Sequence, residues 1–339
     1  MFATLTLPAG NDLTSPQRTP TLRVRSAADL RNALRLGRVQ SVRLDGSGMD
    51  RVLHLDAERG LLELQAATPW TELARYLAAR RIAIDAFAHL SGAPATVGEA
   101  VAEAAAGPDG LPVSAHVAAI TLFTPDGELR RAERNVHGEL FRLALGGHGA
   151  IGVLYSVTLS IESLLGSAAA AAAPVELRIQ DGPAIPVPEC AIECLLPPGA
   201  LDAYLKEVCL LAEERRIALH RITVRRYRAE SETSLRWARQ EWAGVELRFG
   251  TRTTLGASVA AAEVRRALLS AALRRGGSFP IRDLRDATRS QLLACYPRLG
   301  QFLAEKRRVD PAERLHNTWY RDLTAKLRSE SCEIRWGKN

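Results

Sequence analysis

Apolar positions along this chain recur in two rhythms, one helical and one strand-like, separated by glycine and proline. The stretch from Leu90 to Leu154 shows both. An Ala-rich segment, VGEAVAEAAAG, predicts a short helix, and HVAAITLF predicts a hydrophobic strand. A tight turn at Thr124-Pro125-Asp126-Gly127 follows, then a helix around Glu139-Leu140-Phe141, then Gly146-Gly147-His148-Gly149 and a β-branched strand. Upstream, Leu22-Arg23-Val24 reads as a strand, and Ser26 caps a helix with Asp29 at its third position. Arg59-Gly60 turns a hairpin into the strand Leu61 to Leu64, and Thr68 caps the next helix with Pro69 at its first position.

The second half alternates differently. Ala191 to Leu195, His220 to Tyr227 and Val245 to Thr251 read as strands, and Ala200 to Glu214, Ser258 to Arg274 and Gln291 to Arg307 as helices. That order predicts an α+β unit in which helices cover one face of an antiparallel sheet. Between the halves, Ala168 to Ala173 is too short to nucleate a helix alone and ends at Pro174, so it reads as a linker. The organisation expected is an arm at 1–20, a first domain at 21–165, a linker at 166–174, a second domain at 175–290, and a C-terminal segment at 291–339 that returns to the first.

Composition narrows the function classes. With 339 residues, 47% of them hydrophobic, there is material for two ordinary domains. The formal net charge of +7 comes from 45 Lys+Arg against 38 Asp+Glu, dispersed along the chain rather than blocked. Dispersed arginines interleaved with acids form a solvated face. No aromatic-basic stacking platform accompanies them, so nucleic-acid binding is not expected, whereas a small-molecule substrate, an anionic one included, is. Cys190, Cys194, Cys209, Cys295 and Cys332 form no metal-ligating pattern, so no metal is expected. The odd count and the absence of a signal-peptide pattern fit a reducing cytoplasm, and no apolar run approaches the length of a transmembrane segment.

Four ordered motifs carry a resemblance. Thr96-Val97-Gly98, Asp126-Gly127, Glu139-Leu140-Phe141 and the glycine segment from Gly146 to Val153 resemble the FAD-binding domain of the vanillyl-alcohol oxidase and p-cresol methylhydroxylase (PCMH) superfamily. The tail motifs YPRL, FLAEKRRVDP and HNTWYRDL are similar to the sugar and lactone oxidase branch, which includes decaprenylphosphoryl-ribose oxidase and D-arabinono-lactone oxidase. The resemblance implies a two-domain α+β, PCMH-type FAD-binding fold with an antiparallel-sheet substrate or cap domain. It implies noncovalent FAD, with cofactor contacts at Gly92, Thr96, Val97, Gly98, Gly107, Gly147, Gly149, Gly152, Val153 and Phe279. By position it assigns Arg282, Glu193 and Arg225 to the substrate and flavin site. Arg282 reads equally as a surface arginine paired with Asp283, and the run Arg225 to Arg228 as an exposed strand edge. An arginine is permanently cationic, so it can hold an anion or a reduced flavin but cannot shuttle protons.

Departures from the family pattern are as specific. The Gly-rich phosphate loop expected after the first helix reads as deleted, since Leu36-Gly37 passes almost directly into Val42. Gly46-Ser47-Gly48 matches an ordinary turn. Glu99 replaces the second glycine after Thr96-Val97-Gly98 and puts a carboxylate where phosphate would approach. Ala106 stands where relatives carry a histidine, and neither His116 nor His148 occupies that position. Two readings result. One is a divergent FAD-linked oxidoreductase that oxidises an alcohol carbon of a sugar-like or lactone-like substrate. The other is a flavin-free pseudo-oxidase that serves as a binding or scaffold subunit beside a protein partner.

Overall fold

The computed structural model describes residues 2–3, 22–24, 26–35, 42–45, 49–84, 87, 96–178, 189–251 and 254–329. Gly92, the shortened phosphate-loop segment at 36–41, Gly46-Ser47-Gly48, Cys332 and nearly all of the expected arm lie outside the described residues. The chain divides into two compact units. One holds Met1–Ala171, Glu230–Arg236 and Arg298–Cys332, and the other holds Ala172–Ala229 and Trp237–Pro297.

The first unit begins with a βαβ turn. Strand β2 (Leu22–Val24) runs parallel to β3 (Val42–Asp45), with α1 (Ala27–Arg35) between them in the chain, and β1 (Phe2–Ala3) adds antiparallel to β3. The Ser26 hydroxyl accepts from the Asp29 N–H at 3.1 Å, which satisfies one of the helix's orphan donors. The larger sheet is antiparallel throughout. Its order is β4 (Val52–Asp56), β5 (Leu61–Gln65), β8 (Val153–Ser160), β6 (Val117–Phe123), β7 (Leu129–Glu133). Leu62 and Leu64 of β5, Ile120 of β6, and Val157 and Leu159 of β8 are buried with residues of α2 (Trp70–Ala78), α3 (Val97–Ala102) and α4 (Gly138–Ala144). Helix α5 (Ile161–Ala169) takes up the first two alanines of the expected linker, because Ser160 caps it and Ile161 and Leu164 anchor it in this core.

The second unit is one four-stranded antiparallel sheet. Its order is β10 (Glu189–Leu196), β12 (Trp242–Gly250), β11 (Leu219–Tyr227), β9 (Val175–Arg178). Helices α6 (Leu201–Glu214) and α7 (Leu255–Arg274) lie on the face that carries Cys190 and Cys194. Arg265 of α7 reaches the Cys190 sulfur at 3.6 Å, and Tyr204 of α6 sits beside Cys194, whose thiol burial pushes up to about 12. Both cysteines are free thiols.

Several boundaries differ from the sequence pattern for identifiable reasons. Thr68 does not cap α2, because its hydroxyl donates to the Gln65 carbonyl at 2.7 Å and Pro69 takes the N-cap position. The helix expected at 291–307 is two helices, α8 (Arg289–Cys295) and α9 (Leu299–Val309). Pro297 lacks an N–H and disfavours helical backbone at Tyr296, where φ is −124° and ψ is 72°. The strand expected from Val245 begins at Trp242, so Gly244 lies inside it. The run Arg225 to Tyr227 pairs with Gly244 to Trp242 of β12 on one side, whereas β9 pairs only with Arg221 to Val224, so among the described residues the run has no strand partner on the β9 side and keeps one open edge.

The tail belongs to the first unit. In α10 (Thr318–Ser329), Trp319 stacks on the His148 ring at a centroid distance of 4.3 Å, and the Asn317 amide donates to the His148 carbonyl. His148 takes a left-handed φ of 50°, so it fills a turn and carries a stacking partner.

Candidate functional site

The cap sheet has two chemically different faces. Residues opposite one another in an antiparallel pair share a face, and the register sets Glu193 of β10 against Glu246 of β12, and Glu246 against Thr223 of β11. Two residues further along β11 comes Arg225, then Tyr227, on the same face. This face, away from α6 and α7, holds Glu193, Glu246, Arg225 and Arg248.

Glu193 is its most buried acid, at 8% exposure. Its carboxylate accepts from the Tyr227 hydroxyl at 2.5 Å and from the Arg282 guanidinium at 2.5 Å. Burial, with the Glu193 charge beside it, holds the Tyr227 phenol well above its ordinary value, so it stays a donor. Tyr227 reaches Glu193 across β12 because Gly244 leaves room. A Cβ built at Gly244 would lie 2.1 Å from the tyrosine ring. Gly244→Ala is therefore expected to cost roughly 1–3 kcal/mol, as overpacking does, and to move the phenol off Glu193. Urea unfolding together with tyrosine fluorescence measures both, and an unchanged midpoint would disprove the packing argument.

Arg282 arrives by a built route. The helix α7 ends in a Schellman turn in which Gly276 (φ 73°) donates to Leu273 and Gly277 to Ala272, each at 3.0 Å. Ser278 then exchanges two backbone hydrogen bonds with Leu195 of β10, at 2.7 and 2.9 Å. That pins the segment against the strand bearing Glu193 and leaves Arg282 beside it. Arg282 is also 3.7 Å from Asp283, but its shorter bond is to Glu193.

Arg225 makes a separate pair. It donates to Glu246 at 3.1 Å, and Arg248 pairs with the same carboxylate at 2.6 Å. Burial would raise Glu246, but the two arginines outweigh it and hold the carboxyl below the usual range. Of the three residues assigned to the site from sequence, the structure joins Glu193 and Arg282 and gives Arg225 to Glu246. Tyr227, Glu246 and Gly244 went unassigned. The strand period of two, which puts Tyr227 on the Arg225 face, was the available signal.

The described residues assigned to cofactor contact lie in close-packed parts of the chain. Phe279 is 1% exposed and makes a T-shaped contact with Tyr296 at a centroid distance of 5.7 Å. Val153 is buried at 3% in a cluster with Leu30, Leu34, Met49 and Phe123, and is likewise a packing residue.

At α3 the donors are already taken. The Val97 N–H bonds the Thr68 carbonyl at 2.9 Å, and the Gly98 N–H bonds Ala66 at 2.8 Å. Thr96 and Glu99 form a reciprocal capping box, each backbone N–H bonding the other's side chain at 3.2 Å. The Glu99 carboxylate is thus turned back onto its own helix terminus, 7% exposed, rather than extended toward a phosphate. A Cβ at Gly98 would lie 2.6 Å from the Ala66 carbonyl oxygen, at Gly147 2.2 Å from that of Leu143, and at Gly152 2.5 Å from the Leu122 side chain. Gly107 opens a turn in which it donates to Leu111 at 2.6 Å, and Gly149 sits at φ 71°. These glycines serve close chain packing. The α3 terminus, taken alone, does not fit a pyrophosphate.

His116 is buried at 3% and its Nδ1 lies 2.7 Å from the Ser163 hydroxyl, a core position. Among the described residues, no cluster of three or more His, Cys, Asp or Glu can hold a metal. Nor is any helix among them long and apolar enough to cross a membrane.

Comparison with known proteins bears on the first unit. Residues 21–133 match the family model described as "FAD binding domain". The solved structure of an alkyldihydroxyacetonephosphate synthase superposes with a TM-score of 0.56 over 87% of this chain and 75% of that one, at 10% identity. The fold is that of the FAD-binding PCMH-type proteins. It is an α+β fold of a mixed-topology first unit and an antiparallel cap sheet. No curated protein matches the chain.

Proposed function

We propose that this chain is a divergent FAD-linked oxidoreductase that oxidises an alcohol carbon of a sugar-like or lactone-like substrate bound against the charged face of the cap sheet. The observation that carries the reading is the buried Glu193, held between a phenol and a guanidinium on the face that also carries the cluster of Arg225, Glu246 and Arg248. A buried carboxylate with two fixed donors is a pre-oriented acceptor for a substrate hydroxyl. Bound flavin would supply the hydride acceptor. The substrate hydroxyl proton goes to Glu193, because Arg282 stays cationic and Tyr227 stays protonated. Arg225 and Arg248, which share the single carboxylate of Glu246, suit an anionic substituent on the substrate.

The taken donors at α3 favour a second reading, the flavin-free pseudo-oxidase that acts as a binding or scaffold subunit. Under it, the capping box of Thr96 and Glu99 replaces the cofactor as the partner of the helix terminus. The visible absorption spectrum separates the two. It is recorded on the purified protein before and after incubation with excess FAD, once unbound FAD has been removed. A retained flavin band is the expected result. No band, in protein shown folded by circular dichroism, overturns the oxidoreductase reading in favour of the second.

A further inference from the structure

We propose that the outer edge of β9 is a homodimer interface at which two copies of this chain join their cap sheets into one continuous eight-stranded sheet. Strand β9 ends the order β10-β12-β11-β9 and pairs with β11 on one side. Among the described residues no strand pairs with its other side. An open edge presents a row of backbone donors and acceptors that templates another strand. The opposite edge of the sheet is different, because Ser278 already bonds Leu195 of β10 there.

The side chains of β9 point to the occupant. All four are exposed, with Val175 at 60% and Leu177 at 48%. Val175 and Leu177 stand opposite Val224 and Ile222, while Glu176 and Arg178 stand opposite Thr223 and Arg221. Arg178 therefore faces a like charge across its own sheet, which is unfavourable. The sequence Val175-Glu176-Leu177-Arg178 is complementary to itself when run antiparallel. With Leu177 against Leu177 of the second copy, Glu176 of each copy falls opposite Arg178 of the other, twice by the two-fold axis. The same register brings the exposed leucines together on one face and gives Arg178 an acid on the other. A closed two-fold contact of this kind is the commonest way for one chain to bury its own patch.

Sedimentation equilibrium of the full chain tests this with three variants. The parent is expected to be dimeric at micromolar concentration. Glu176→Arg and Arg178→Glu each place like charges opposite in both symmetry-related pairs, and each is expected to weaken the dimer at least about tenfold. The double exchange, Glu176→Arg with Arg178→Glu, restores the pairs and is expected to restore the dimer. Circular dichroism verifies that each variant is folded, as surface substitutions on an exposed strand should be. A monomeric parent overturns the proposal. So does a dimer indifferent to the single exchanges, or a double exchange as weak as either single.

Discussion

Replacing Glu193 by glutamine is expected to lower turnover about 10²- to 10⁴-fold, the range general-base removal produces, with little change in the folding of the cap. Glutamine has nearly the same shape and still accepts a hydrogen bond from Tyr227. It loses the negative charge beside Arg282 and the capacity to take a proton. The measurement is reduction of an artificial electron acceptor by the FAD-loaded chain over a panel of sugars and aldonolactones, as kcat and KM separately, beside the thermal midpoint. A carboxylate that only braced the sheet would lower the midpoint and leave kcat per folded molecule alone. Turnover within a few-fold of the parent, at undiminished stability, would remove Glu193 from the chemistry and leave its ion pair with Arg282 as a fastening of the 278–283 segment to β10. Tyr227→Phe sharpens the contrast, since it keeps the ring over Gly244 and deletes only the donor that orients the Glu193 carboxylate.

The largest loss of stability is expected from Asp310→Ala in the first unit. Lys306 and Asp310, one turn apart on and just beyond α9, are 0% and 1% exposed, and their side chains bond each other. Asp310 also accepts the backbone N–H groups of Arg314 and Leu315, each at 2.9 Å. The Tyr320 ring lies 5.3 Å from the Lys306 ammonium. Truncating the aspartate strips the partner from a buried cation and leaves two backbone donors unmet, a change of about 3–5 kcal/mol. Lys306→Met is expected to cost less, because the carboxylate keeps its two backbone donors and the methionine fills most of the lysine stem. Urea unfolding followed by near-ultraviolet circular dichroism ranks the two. An Asp310→Ala loss under about 1 kcal/mol, or the reverse ranking, would refute the account, the expected scale being that of uncompensated buried charge.

The cofactor side of the molecule turns on what glycine is for. In sequence, Gly98, Gly147 and Gly152 look like positions cleared for a ligand, since glycine admits close backbone approach. In the structure the neighbour that approaches is the chain itself, the Ala66 carbonyl at Gly98 and the Leu143 carbonyl at Gly147. Glu99 shows the same reversal. As a letter in a motif it is a carboxylate opposed to phosphate, and as a side chain it is half of a capping box that stabilises a six-residue helix. Motif spacing reports that backbone comes close to something, but not to what.

What the sequence determined by itself was set by local physics. The turn residues, caps and apolar periods located most strands and helices and predicted the antiparallel cap sheet, because those signals act within a few residues of the element they specify. The period of two also held the polar face of the cap sheet latent, with Glu193, Arg225 and Tyr227 separable from Cys194 and Val224. Only the tertiary structure decided which of these meet. Glu193 and Arg282 are 89 residues apart and become partners through the turn after α7 and the backbone pairing of Ser278 with Leu195. Arg225 reaches Glu246 rather than Glu193 because strand register, a property of the assembled sheet, sets which side chains are neighbours. Long-range pairing of this kind leaves no period in the chain, since it is fixed by the geometry of packed elements and not by the preferences of any one of them.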